Sequence, residues 1–250
     1  MVLARDRRHV WNKITELDGL RVRYAIVCGE RIEHPRVAYR PPRGKFDAIN
    51  YSLNLIPEET DTVIYNDVDT WRIDYKPLLK CLEDKKVGMA YAPELVAEGP
   101  QTTLNTIFSP LQKRIPLFAT GELIAIRKRI LENILPLKPC KAEDTYMMFK
   151  VLELGYKVIQ CDESPVPTHR TKEASKEEQY KTKVITGIYQ ALSLTRPPAL
   201  TRLAYFLLPV ISPIFMILGA KGYYTTKGII LGLLLYLRGD RTGIWRQDYL

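Results

Sequence analysis

Asp67 and Asp69 stand two residues apart in the stretch Asn66-Asp67-Val68-Asp69-Thr70, directly after the apolar run Thr62-Val63-Ile64-Tyr65. On an extended strand alternate side chains share a face, so the two carboxylates are expected to point the same way. Carboxylates held that close repel and raise each other's pKa unless a cation sits between them. Hard divalent ions such as Mg²⁺ or Mn²⁺ take oxygen ligands and share them with a substrate diphosphate. Ligands of open α/β sheets bind just beyond the carboxyl ends of strands, where this pair falls. An isolated Asp-x-Asp is more often a plain acidic turn, so the surrounding chain has to decide.

The elements around the pair alternate between strand and helix patterns. Strands are expected at residues 1–4, 23–27, 36–39, 61–66, 87–91, 121–126 and 156–161. Helices are expected at 7–17, where Val10, Trp11, Ile14 and Leu17 keep helical spacing, and at 45–55, 75–82, 127–135 and 143–154. Residues 94–116 show no period and read as a loop with a short helix. This alternation predicts an α/β fold with a mainly parallel sheet covered on both faces. Gly44-Lys45 opens a helix but is not a P-loop, which would need Gly at 39 and Ser or Thr at 46; Tyr39 and Phe46 stand there. Glu143 and Asp144 open another helix, where acids ordinarily serve as capping and dipole partners.

Bulk properties set outer limits. A chain of 250 residues, 46% hydrophobic and 26% charged, is long enough for one α/β domain with a core and an appendage. The formal charge of +9 suits an anionic partner: a phosphate-rich substrate, an acidic membrane surface or nucleic acid. Nucleic acid is disfavoured, because the positive charge is spread out and no binding motif accompanies it. Cys28, Cys81, Cys140 and Cys161 have no zinc-ligand spacing and read as free thiols in a reducing compartment. No basic leader followed by an apolar core opens the chain, so no secretory signal is expected.

From residue 172 the character shifts. A long helix over 175–194 ends at Pro197-Pro198, and apolar runs follow at 203–219 and 228–237. The first contains Pro209 and Pro213, and Lys221, Lys227, Arg238 and Arg241 flank the runs. A straight span needs about twenty apolar residues. These runs therefore suit helices lying in, or dipping as a hairpin into, an anionic leaflet, with a buried helical pair or a dimer interface as the alternative. Tyr223-Tyr224 and Trp245 are rings of the kind that collect at a membrane interface. Gly228 and Gly232 form a Gly-x-x-x-Gly compatible with close helix contact.

Taken in series, these motifs resemble glycosyltransferase family 2, inverting enzymes with the GT-A fold. Val2-Leu3-Ala4-Arg5-Asp6-Arg7 resembles the opening strand and its turn, Gly44-Lys45 with Ala48 and Asn50 the Gly-Lys-x-x-Ala-x-Asn helix, and Asp67-Val68-Asp69 the metal and nucleotide-sugar motif. Gly121 to Arg127 resembles the acceptor-side strand, and Glu143-Asp144 the pair bearing the catalytic base. The resemblance covers about residues 1–195, a GT-A domain, leaving 196–250 as a membrane-associating helical region. It implies a hexosyl transfer, with inversion, from a UDP- or GDP-linked donor to a lipid-linked or glycan acceptor near a membrane, at its cytoplasmic face, with Mg²⁺ or Mn²⁺.

The roles it implies are these. Asp69 and Asp67 hold the metal; His169, in the loop after the last strand, either reaches the metal or the diphosphate or is a surface histidine beside a basic loop. Ala4, Arg5, Asp6, Lys45, Asn50, Asp67, Val68 and Lys183 contact the donor, and Gly121 and Glu122 the acceptor. Asp144 is the base, and Glu143 orients it. Two departures stand out. Cys28-Gly29-Glu30 replaces the usual Asp-Asp-Gly-Ser, and Tyr180 to Val184 replaces the Gln-x-x-Arg-Trp of processive members, which argues against a polymer synthase. Nucleotidyl transfer onto a sugar phosphate uses the same paired acids, and a degenerate, non-catalytic member of the fold is the further alternative.

Overall fold

The computed structural model describes residues 1–71, 74–96, 115–168 and 173–243. His169, Trp245 and most of the loop at 94–116 lie outside these. The chain divides into two units. The first comprises Met1–Glu94, Thr120–Leu137 and Tyr156–Val166; the second comprises Leu95–Ala119, Lys138–Gly155 and Pro167–Leu250.

The first unit is built on a seven-stranded sheet. Its strands are β1 (Val2–Ala4), β2 (Ile26–Cys28), β3 (Val37–Tyr39), β4 (Thr62–Asp67), β5 (Val87–Tyr91), β7 (Leu123–Arg127) and β8 (Lys157–Gln160), while β6 (Glu94–Val96) and β9 (Val166–Thr168) form a separate pair. The order is β3-β2-β1-β4-β7-β5-β8. The pairings are parallel except that β7 runs antiparallel between β4 and β5. The mainly parallel α/β sheet expected from the sequence is therefore present, with one reversed strand at its centre.

Burial on both faces explains why the inner strands β1, β2, β5 and β7 are apolar. On one face α1 (Val10–Gly19) lays Val10, Ile14 and Leu17 against Val2, Ala4, Ile26 and Cys28. On the same face α3 (Lys76–Lys80) packs Leu78, with nearby Leu82, on Val87, Leu123 and Ala125. On the other face α2 (Lys45–Ser52) carries buried Ile49, and its Ser52 hydroxyl meets the Tyr65 hydroxyl at 2.8 Å. Helix α4 (Lys128–Ile134) follows β7 and buries Ile130, Leu131 and Ile134.

The second unit is helical. Helix α5 (Glu143–Glu153) ends before Gly155, whose φ of +81° is the left-handed conformation that a helix stop favours. Next come α6 (Ala174–Leu194), α7 (Ala199–Ile211) with a 3-10 extension over Ser212–Leu218, and α8 (Ala220–Leu237). Gly228 and Gly232 are where α8 touches α6. A Cβ on Gly228 would stand 2.7 Å from the Lys181 Cβ, and one on Gly232 would stand 2.7 Å from the Ile185 Cβ. The Gly-x-x-x-Gly is thus a helix-packing face, and this part of the second apolar run is buried against protein.

Candidate active site

β4 ends at Asp67, and this corrects one step of the sequence reading. Val68 and Asp69 are not strand residues; they occupy a turn closed by the Thr70 N–H donating to the Asp67 carbonyl at 3.1 Å. Asp67 is thus the last strand residue and Asp69 a turn residue, so strand alternation does not govern where the two carboxylates point. The reason lies in the neighbours: β1 gives β4 only the register Val2 to Asn66 and Leu3 to Asp67, plus a Leu3 carbonyl that accepts from the Val68 N–H. Beyond that point β1 is finished and the chain turns. Asp67 is partly exposed and Asp69 exposed, at the carboxyl end of the central parallel strands.

Asp67 shares the α2 face of the sheet with Tyr65. From the first turn of α2, Lys45 reaches across to it, with its ammonium 2.8 Å from Oδ1 and 2.9 Å from Oδ2 of Asp67. The same ammonium donates to the Gly121 carbonyl at 3.1 Å. Glu122 supplies the carbonyl that accepts from the Asp67 N–H at 3.0 Å, so the segment before β7 closes over the end of β4. Three separate stretches, Lys45, Asp67 and Gly121-Glu122, therefore meet at one sheet edge.

At the end of β1, the Ala4 carbonyl accepts from the Gly29 N–H at 3.0 Å, and the Asp6 carboxylate accepts from the Arg8 N–H at 2.9 Å, starting the approach to α1. Gly29 has a plain steric reason to be glycine: a Cβ there would lie 2.1 Å from the Arg5 carbonyl oxygen. Glu30 pairs with Arg7 at 3.2 Å. The tripeptide Cys28-Gly29-Glu30 packs against the turn that displays Arg5 and Asp6.

Asn50 differs from its expected donor role. Its Nδ2 donates to the Leu137 carbonyl at 2.9 Å and its Oδ1 accepts from the Leu137 N–H at 2.7 Å. Both ends of the amide are spent clamping α2 to the segment after α4. Val68 packs its side chain on the α1 cluster and offers the backbone of the turn.

In the second unit, Glu143 and Asp144 occupy the first turn of α5, where a helix N-terminus favours negative charge. Glu143 is buried, Asp144 half-buried, and the Asp144 Oδ1 accepts from the Thr145 N–H at 2.6 Å. Lys183 lies half-buried on α6. Lys141, just before α5, pairs with Asp240 after α8, and Gln190 of α6 donates to the Asp240 carbonyl at 3.0 Å.

One residue was missed by sequence reasoning. Lys13 is 0% exposed on the sheet-facing side of α1. Its ammonium donates to the Thr70 carbonyl, pairs with Glu16 at 2.7 Å and lies 4.5 Å from the centre of the Trp71 ring. Burial pushes its pKa down, opposed by Glu16, Asp69 and Asp67. A signal existed: Lys13 falls three residues after Val10 and four before Leu17, on the stripe that should be apolar. Beside it, the Asn66 amide donates to the Tyr75 hydroxyl at 2.8 Å.

Asp67 and Asp69 suit Mg²⁺ or Mn²⁺. They are hard oxygen donors, and the Lys45 ammonium on Asp67 shows that this edge attracts a cation. Among the described residues no cluster of three His, Cys, Asp or Glu side chains is assembled, so further ligands would come from substrate oxygens and water.

No family model matches the chain, and no curated protein does. Solved structures match its fold. A mannosyltransferase from Pyrobaculum calidifontis, solved with GDP-mannose and Mn²⁺, superposes with a TM-score of 0.67 at 14% identity, over 96% of this chain and 87% of that one. Glucosyl-3-phosphoglycerate synthase from Mycobacterium tuberculosis, with Mn²⁺, UDP-glucose and phosphoglyceric acid, gives 0.51 at 18% identity over 79% and 80%. GalNAc-T7, with UDP, GalNAc and Mn²⁺, gives 0.53 at 13% identity over 96% of this chain and 55% of that one. The architecture is thus that of the GT-A glycosyltransferases.

Proposed function

We propose that the chain transfers a hexose, with inversion, from a UDP- or GDP-linked donor to a lipid-linked or glycan acceptor near a membrane, as a member of glycosyltransferase family 2. The observation that carries the reading is the meeting of Lys45, Asp67 and the Gly121 carbonyl at the end of β4. A cationic side chain already bound to an acid at a sheet edge is ready to exchange partners when a diphosphate arrives. The structural neighbours, solved with Mn²⁺ and with GDP-mannose, UDP-glucose or UDP, agree with this chemistry.

Asp69 and Asp67 would hold Mg²⁺ or Mn²⁺, which when bound neutralises charge on the departing diphosphate. Lys45 turns from Asp67 to the diphosphate oxygens, and the Val68 backbone and the turn at Arg5-Asp6 border the donor. The acceptor oxygen forms the new bond to the anomeric carbon while the bond to the diphosphate oxygen breaks and keeps its electron pair. The acceptor's proton passes to Asp144, in the first turn of α5, and Glu143 orients that carboxylate. Lys183 adds positive charge for the leaving group, and Gly121 and Glu122 line the acceptor side.

Residues 196–250 form the membrane-associating region in this reading, at the cytoplasmic face of the membrane. The segment Ala199–Leu218 is 20 residues long with mean hydropathy 1.8 and is mostly exposed. Phe206, Val210 and Ile217 are 77%, 75% and 85% exposed, an apolar surface too continuous to be left in water without purpose. Pro209 and Pro213 interrupt the segment, which favours lying in the interface over a straight crossing.

The test is a thermal-shift screen of nucleotide sugars with and without Mn²⁺. A rise of a few degrees with one UDP- or GDP-sugar, dependent on the metal, is expected. A rise with a nucleoside triphosphate and sugar phosphate alone would point instead to nucleotidyl transfer.

A further inference from the structure

The geometry points to Lys13 as a positioning residue for the cation site: from the α1 face of the sheet it holds the turn that carries Asp67 and Asp69. Two lysines approach this turn from opposite faces. Lys45 comes from α2, is partly exposed and binds the Asp67 carboxylate itself, where a ligand can compete for it. Lys13 comes from α1, binds the Thr70 carbonyl and Glu16, and is sealed from solvent.

Burying an ammonium is costly, and the structure offsets that cost with three partners that all converge on the same few residues. The Thr70 carbonyl is the acceptor at the end of the turn, Glu16 supplies the countercharge, and the Trp71 ring supplies a cation–π face. A hydrogen bond to Thr70 fixes the peptide one residue beyond Asp69. The Thr70 N–H to Asp67 carbonyl bond closes the same turn from within. The turn is thereby held at both its own closing bond and its exit, before any ligand binds. The inference depends on the sugar-transfer reading for what the cation does, but not for whether a cation binds.

The sign of the effect separates positioning from charge. Removing a positive charge near two carboxylates would by itself tighten Mn²⁺ binding. Loosening the turn would weaken it. Lys13→Met keeps the side chain's length and apolar stem while deleting the ammonium; taking that partner from Glu16 and the Thr70 carbonyl costs some stability, which the melting temperature reports. The measurement is the affinity of the full chain for Mn²⁺ alone, read by electron paramagnetic resonance of the free ion, alongside the melting temperature. The expected result is Mn²⁺ affinity weakened by at least about fivefold, the loss of a charge-assisted hydrogen bond's worth of organisation, with folding retained. Lys13→Gln, which keeps a donor, should weaken it less, and donor KM should rise more than kcat falls.

Unchanged or tighter Mn²⁺ binding in either folded variant would overturn the inference. So would failure of both variants to fold, since Lys13 would then be structural only. If the wild-type chain itself binds no Mn²⁺, the sugar-transfer reading fails and the inference fails with it. If the wild type binds Mn²⁺ and the variants match it, only the role of Lys13 is lost.

Discussion

Lys45 spends its charge on Asp67 and one further hydrogen bond on the Gly121 carbonyl, and a bound diphosphate would compete for both. Lys45→Ala should therefore raise donor KM by about tenfold or more, as expected for losing a charge-assisted contact, and lower kcat as well. A Michaelis analysis with donor varied checks this. Asp144→Asn should lower kcat by about 10²- to 10⁴-fold, the usual worth of a positioned base, while leaving donor affinity within about twofold. Equal loss of donor binding, measured by calorimetry, would assign Asp144 to the donor instead. At this scale the sequence was readable where chemistry shows in residue type: paired acids, a helix-opening lysine, an acid pair at a helix start. It was unreadable where a side chain's partner lies far along the chain. Nothing local says that Asn50 will pair both ends of its amide with the Leu137 backbone, 87 residues away.

Helix α2 is what aims Lys45, and its start is pinned by a two-point ion pair. Arg40 Nε and Nη2 lie 2.7 and 2.8 Å from the Asp47 carboxylate. Those hydrogen bonds to Arg40 hold the Asp47 pKa below its ordinary 3.8. A depressed carboxylate contributes stability that is fully present above its unfolded value and is lost as pH falls through its folded one. Asp47→Asn should thus lower the melting temperature by a few degrees at neutral pH, with the difference shrinking as pH falls below the ordinary 3.8. Parallel melting curves of the two proteins across that range test it. Gly29→Ala forces a Cβ to within 2.1 Å of the Arg5 carbonyl, so the β1 and β2 turns must part. Destabilisation of about 2 kcal/mol or more in urea unfolding is expected, in the range of backbone-clash substitutions. Elements were legible in proportion to their periodicity. α1, α5 and the long α6 were plain to within a few residues. The antiparallel sense of β7 and the short β6 and β9 were not, because direction and pairing depend on partners that a local pattern does not contain.

Over the whole molecule, a formal charge of +9 coincides with an exposed apolar segment at Ala199–Leu218. Binding to anionic vesicles through that segment should be abolished when Phe206, Val210 and Ile217 are replaced together by serine. Co-sedimentation with vesicles of anionic and of neutral lipid tests this, and undiminished pelleting of the triple variant would remove the membrane from the account. The sequence announced this segment's composition but not its exposure. It could not tell the open face of α7 from the glycine-lined face of α8, which Lys181 and Ile185 cover.

The account's central claim is that a sugar leaves a nucleoside diphosphate at the acid turn after β4. The direct measurement is release of UDP or GDP from a matched nucleotide sugar, with Mn²⁺ and with chelator, by the wild type and by Asp69→Asn. Release is expected to require Mn²⁺ and to fall to background in Asp69→Asn. Release of pyrophosphate from a nucleoside triphosphate, or equal diphosphate release by wild type and Asp69→Asn, would contradict it.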